Sequence, residues 1–210
     1  IEDGKMKFQS YYKLPAPQTS LENCVAHNGS LIPIPGREVM VQGWYQGGIT
    51  VFDWTDPANP IEIAFHDRGP VNPDRMEMAG SWSVYWYNGL IVNSEIARGL
   101  DIFELVPSEY VSQNEIDAAN TVRLEYLNPQ GQPRFVLPPS FAKARAFVDQ
   151  LEHSQGLPAT RIAAVRKALD DAERRSGAAR RSALESLAAE LAADQARSSD
   201  AKKIAMLVDA

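Results

Sequence analysis

Trp44-Tyr45-Gln46-Gly47-Gly48-Ile49-Thr50-Val51-Phe52-Asp53 reads as the end of one strand, a short loop closed by glycine, and an apolar alternating strand. About 51 residues on, Ser94-Glu95-Ile96-Ala97-Arg98-Gly99-Leu100-Asp101-Ile102-Phe103 has the same three parts. A repeat of that period is what four-stranded β-propeller blades give. Gly48 and Gly99 fit a hairpin position that needs positive φ. After the first copy, Asp56-Pro57-Ala58-Asn59-Pro60 ends the strand and turns the chain, because neither proline can donate to a ladder. Working outward, strands are expected over 6–12, 24–27 with an extension to 34, 39–44 and 49–54, and again over 61–66, 81–87, 90–93 and 100–105. The two expected blades thus span about 5–54 and 61–105.

The charge and the turn-forming residues belong to one part of the chain. Residues 1–139 hold 17 Asp+Glu against 9 Lys+Arg, all four tryptophans, 11 of 13 glycines and 13 of 14 prolines. That is the composition of β-structure and turns. Residues 140–210 are alanine-rich, with 12 basic against 10 acidic residues. The expected organisation is therefore multidomain β + α: a partial propeller over 1–127, a proline- and glycine-bearing linker over 128–139, and a small antiparallel helical bundle over 140–210. A net charge of −6 discourages non-specific nucleic-acid binding, and no run of 18 apolar residues offers a membrane span. The lone Cys24 can form neither an internal disulfide nor a cysteine-rich metal site.

Ile49 to Pro60 resembles the signature of bacterial LVIVD-repeat proteins, in which a glycine-led strand followed by an Asp-Pro turn closes one blade and opens the next. The second copy keeps the strand Leu100 to Leu105 but has Val106-Pro107-Ser108 in place of the Asp-Pro turn, as a last blade would. The resemblance covers about residues 5–105 and implies an exported β-propeller, placed in the periplasm, at the cell surface or outside the cell. Two blades cannot close a ring that takes at least about four. The remaining blades are expected upstream of Ile1, a start that reads as a processed or truncated end, or in partner chains. A strand over 121–127 and a helix over 108–119 capped by Ser108 complete the expected β region.

Four apolar stripes mark the helices of the second part. Phe141, Ala144, Val148 and Leu151 follow Ser140 as N-cap; Ile162, Val165, Leu169 and Ala172 follow Pro158; Leu184, Leu187 and Leu191 form the third, and Ile204, Leu207 and Val208 the fourth. Such stripes are buried only against one another, which gives a bundle. The order of helices, Gly-Leu-Pro and arginine-rich loop resembles the FIMAH-type module at the C-terminus of secreted bacterial proteins.

The chemistry-bearing residues are few. His27 lies at a strand-to-turn junction from which an imidazole can reach a propeller's central opening. The loops carrying Tyr45 and Gln46, and Glu95 and Arg98, occupy equivalent places, so these five side chains are expected to converge on a polar ligand or a cation. Against this stand bland readings: a turn histidine at 27, a strand-end histidine at 66, a solvated His153, a local Glu95–Arg98 ion pair, and turn aspartates at Asp53 and Asp101, which occupy equivalent places in the two copies. Alternation places Trp82, Val84 and Trp86 on one face as packed core, the competing reading being a surface that stacks on sugar rings. The pairs Arg174-Arg175 and Arg180-Arg181 read as a solvated face rather than an anion contact. No phosphate loop, nucleophile elbow or paired metal motif occurs, so neither reaction, metal nor cofactor is named. The leading expectation is a non-catalytic binding or scaffold protein whose partner is a protein or a cell-surface polymer. Its rival is a metal- or anion-dependent hydrolase-like enzyme at the channel mouth.

Overall fold

A computed structural model describes residues 3–131 and 133–210. Ile1, from which upstream blades are counted, and Gln132 of the expected linker lie outside the described residues. The chain forms two compact units, one of Ile1–Pro33, Arg37–Tyr110 and Arg123–Pro133, the other of Ile34–Gly36, Val111–Val122 and Arg134–Ala210.

The first unit is built on two antiparallel sheets. Sheet one has the order β1 (Gly29–Ile32), β2 (Val39–Gly43), β3 (Ile49–Asp53), β4 (Ile61–His66); sheet two has β5 (Ser81–Tyr87), β6 (Leu90–Glu95), β7 (Gly99–Glu104). The two repeat copies thus lie in different sheets, and among the described residues the sheets close no ring. Strand grouping departs from expectation. Segment 61–66 pairs with β3 instead of opening the second sheet, because Asp56 makes the intervening turn a tight reversal: it accepts from Ala58 N at 3.0 Å and Asn59 Nδ2 at 2.8 Å. Segment 6–12 is not a strand. This segment lies as a strap on the face of sheet one, with Tyr12 stacked on Phe52 at 3.9 Å and its hydroxyl donating to Glu62 Oε2 at 3.2 Å. The expected strand over 121–127 is also irregular chain; Asn88 accepts from Leu124 N through its side-chain oxygen at 2.8 Å and donates to Leu124 O at 3.0 Å, replacing a ladder.

A shift of 51 residues maps one hairpin onto the other in register. Gln42 faces Thr50 across β2–β3, and Asn93 faces Asp101 across β6–β7. By that register Asp53 corresponds to Glu104 and not to Asp101, so the expected equivalence of the two aspartates is corrected. The sheets pack face to face. Val84 N donates to Asn28 Oδ1 at 2.6 Å, Trp86 N donates to Ser30 Oγ at 3.2 Å, and His66 lies against Phe103 at 4.6 Å. On sheet one, the face of Val39, Val41, Ile49 and Val51 is buried beneath sheet two. Its counterpart on sheet two is Leu90, Val92, Leu100 and Ile102, and there Leu100 and Ile102 are 63% and 58% exposed against 4% and 3% for Ile49 and Val51. The opposite correspondence holds too: Tyr12 of the strap covers Phe52 as His66 of sheet one covers Phe103.

The second unit is helical, with α1 (Gln113–Ala119), α2 (Phe141–His153), α3 (Ala159–Glu173), α4 (Gly177–Asp194) and α5 (Ala201–Val208). Phe147, Val148, Leu151, Ile162, Val165, Leu169, Leu187, Leu191, Ile204 and Leu207 form its core, as the stripes require. Ser140 caps α2 by accepting from Lys143 N at 3.1 Å. α1 belongs to this unit and starts later than expected. Ser112 with Glu115 makes a capping box, whereas Ser108 turns the chain by accepting from Tyr110 N. Arg145 bridges to Asp170 and Glu173, Arg166 to Asp149 and Glu152, and Arg161 to Glu190 and Asp194, tying α2 to α3 and α3 to α4. Arg174 pairs with Asp171, and Arg180 donates to Glu173 O and Arg175 O at the end of α3. No helix among the described residues is long and apolar enough to cross a membrane.

Candidate functional site

Three of the five expected site residues hold the long connection from β4 to β5 in place. Gln46, buried in the β2–β3 loop, accepts from Val71 N and donates to Glu77 O, both at 2.8 Å. Glu95 ends β6 with a side chain only 4% exposed. Its Oε1 accepts from Gly80 N at 2.5 Å, and its Oε2 accepts from Arg98 N. Arg98 donates to the carbonyls of Gly69 and Pro70 at 3.5 Å and stands 3.7 Å from Glu95 Oε1. These groups spend their hydrogen bonds on backbone that would otherwise be unpaired. The expected local ion pair is present but secondary to the backbone bonds.

Tyr45, Gln46, Glu95 and Arg98 do share a small cavity, completed by His66, Arg68, Asn93, Asp101 and the Gly80-Ser81 backbone. Arg68 bonds Asp101, and Asn93 Nδ2 donates to Asp101 Oδ2 at 3.2 Å. His66 Nε2 and Asn93 Oδ1 are buried there without a protein partner. Two carboxylates face two guanidinium groups, so the charges balance. The enclosed space is about that of one water molecule. Among the described residues no three His, Cys, Asp or Glu side chains are grouped to hold a metal ion.

His27 is not part of that cavity. It lies on the surface, its Nδ1 2.5 Å from Trp82 O and its ring centroid 4.2 Å from that of Trp82 and 5.1 Å from that of Tyr45. The expected convergence of five residues therefore divides into a stapling cluster and an aromatic surface, with Tyr45 at the junction. The reason is the backbone bridge of Tyr45 to Ser81, where Tyr45 N donates to Ser81 O at 3.2 Å and Ser81 N to Tyr45 O at 2.7 Å. Trp82 departs from the core expectation. The register shifts between Ser81 and Ser83, so Trp82 is the extra residue of a bulge and turns outward, 45% exposed, while Val84 and Trp86 stay buried. Asn93 and Arg68 were not legible as site residues; the one usable signal was the 51-residue shift that pairs Asn93 with Gln42.

Two groups near the strap are pushed up in pKa. Burial raises the Tyr12 phenol to about 12 despite a bond to Thr50 that lowers it, and burial, aided by Glu22 and Asp67, raises the Cys24 thiol to about 11. Neither acts as a base or nucleophile at neutral pH.

No family model, curated protein or solved structure matches this chain.

Proposed function

We propose that this chain is a non-catalytic binding or scaffold protein of LVIVD-repeat type, its two sheets being blade-like units of a larger stack and its helices an end module resembling FIMAH. The resemblance also carries the reading that it is exported. One observation carries the scaffold role: Leu100 and Ile102 stand open on sheet two, beside half-buried Leu90 and Val92, although their counterparts Ile49 and Val51 on sheet one are covered by a sheet of the same repeat. The occupant this face suits is a further sheet of that repeat, from upstream chain or from a partner. The stapling roles of Gln46, Glu95 and Arg98 support the non-catalytic part, since both Glu95 carboxylate oxygens are engaged by backbone N–H groups of the loop they hold.

Sedimentation of the intact chain and of the Leu100→Asp/Ile102→Asp variant tests the scaffold role. Concentration-dependent association through the open face, abolished in the variant at unchanged melting temperature, is expected. A chain that stays monomeric at about 100 μM and binds no hydrophobic dye overturns it. Metal-dependent turnover of p-nitrophenyl esters or phosphates, lost in Glu95→Gln without loss of stability, would instead restore the enzyme reading.

A further inference from the structure

We infer that Trp82, Tyr45 and His27 form a binding surface for a pyranose ring of a polysaccharide, an assignment that rests on the non-catalytic binding reading above. Three segments of chain meet to build this surface: the stretch before β1, the β2–β3 loop and the bulge of β5. Two of them adopt uncommon backbone to do so. The bulge turns Trp82 away from the core that alternation assigns it. Tyr45 has φ +51°, a left-handed conformation that a residue with a Cβ adopts at a cost. Gly80 permits it, because a Cβ there would sit 1.8 Å from the Tyr45 carbonyl carbon.

The chemistry of the edges then selects the ligand. The Trp82 carbonyl can only accept, so His27 Nδ1 carries a proton, and in the neutral imidazole Nε2 presents the lone pair. Among the described contacts, Trp82 Nε1–H and the Tyr45 hydroxyl have no internal partner. The surface therefore offers aromatic faces rimmed by one donor, one acceptor and one hydroxyl that does both. A pyranose has the complementary form, with C–H groups on its flat faces and hydroxyls around its rim. A quaternary ammonium fits less well: centroid separations of 4.2, 5.1 and 5.7 Å put the rings in contact with one another and leave no space for a cation between them. Nucleobases are disfavoured by the acidic excess of residues 1–139.

The test is titration of the intact chain with chitohexaose, cellohexaose, maltohexaose and mannohexaose, followed by tryptophan fluorescence and by affinity electrophoresis in the matching soluble polymer. At least one hexaose binds. Trp82→Ala weakens it by about tenfold or more, Tyr45→Phe and His27→Ala weaken it less, and Trp54→Ala, at the other half-exposed tryptophan, leaves it unchanged. Should Trp82→Ala fold poorly, Trp82→Phe, which keeps an aromatic face and loses the N–H, is expected to bind with intermediate affinity. No binding by any hexaose, or equal loss in Trp82→Ala and Trp54→Ala, overturns the assignment while leaving the non-catalytic reading intact. Release of new reducing ends from a bound hexaose does the reverse: the sugar site stands and the non-catalytic reading falls.

Discussion

Replacing Glu95 by glutamine keeps the shape of the side chain and removes the feature on which the loop depends. Both carboxylate oxygens accept from backbone N–H groups, Gly80 N and Arg98 N, in a place where the side chain is only 4% exposed. An amide has one oxygen and one NH2, so one of those N–H donors must face another donor. The loss is one charge-assisted bond and one stranded buried N–H, together about 2–4 kcal/mol; the 3.7 Å contact to the Arg98 guanidinium adds less than about 1 kcal/mol. All four tryptophans lie in the first unit, so their fluorescence during urea unfolding reports on that unit alone. With a slope of about 2 kcal/mol per molar urea, the midpoint should fall by about 1–2 M. Glu104→Gln is the control, an exposed carboxylate on β7 expected to stay within about 0.5 kcal/mol of wild type. Equal midpoints for the two variants would refute the stapling argument.

Further outcomes follow from particular residues. Gly48→Ala should lower the melting temperature far more than Gly99→Ala: both have positive φ, but a Cβ at Gly48 would lie 1.9 Å from His66 O, whereas nothing lies within 4 Å at Gly99, which leaves a cost there of about 1 kcal/mol. In the helical unit, Arg166 holds Glu152 and Arg145 holds Glu173 below the ordinary glutamate value of 4.5. A depressed carboxylate stabilises above its unfolded value, and that contribution disappears as pH falls through the folded one, so helix unfolding monitored at 222 nm should become easier below about pH 4.5 and be unaffected between pH 6 and 8. Cys24, with its thiol raised from 9.0 to about 11, should react with iodoacetamide at pH 8 about a hundredfold more slowly than an unperturbed thiol, and its rate should still be rising at pH 10; a rate plateau near pH 9 would contradict the burial argument.

The hairpins and the helices were legible because each depends on local pattern. The Gly48 and Gly99 loops, the alternation of β3 and β7, and the 3,4 spacing of Phe141 to Leu151 are statements about neighbours in sequence. What the sequence did not reveal depends on contacts between distant segments. Whether 61–66 joins the preceding sheet or the next is decided by the Asp56 side-chain bonds that tighten one turn. Met6 to Tyr12 reads as a strand, but Tyr12 is held on the sheet face by stacking on Phe52 and by its bond to Glu62, partners that lie about 40 and 50 residues away. The bulge at Trp82 is invisible to alternation, since one extra residue reverses every face assignment on its N-terminal side. For the site, Tyr45, Gln46, Glu95 and Arg98 do line one cavity, yet the roles of three of them follow from the backbone of residues 67–80, which has no pattern to read.

The strap across Phe52 gives the first unit two unlike ends. One face of the pair of sheets is sealed by Tyr12, and the other is bare. Two copies meeting bare face to bare face would satisfy each other and stop, related by a two-fold axis. Copies queuing head to tail would need the seal lifted at every joint, and its aromatic stacking opposes that. If the chain assembles through that face as proposed, the strap acts as a stopper against runaway fibre growth, and deleting residues 3–14 should turn a finite assembly into an open-ended one.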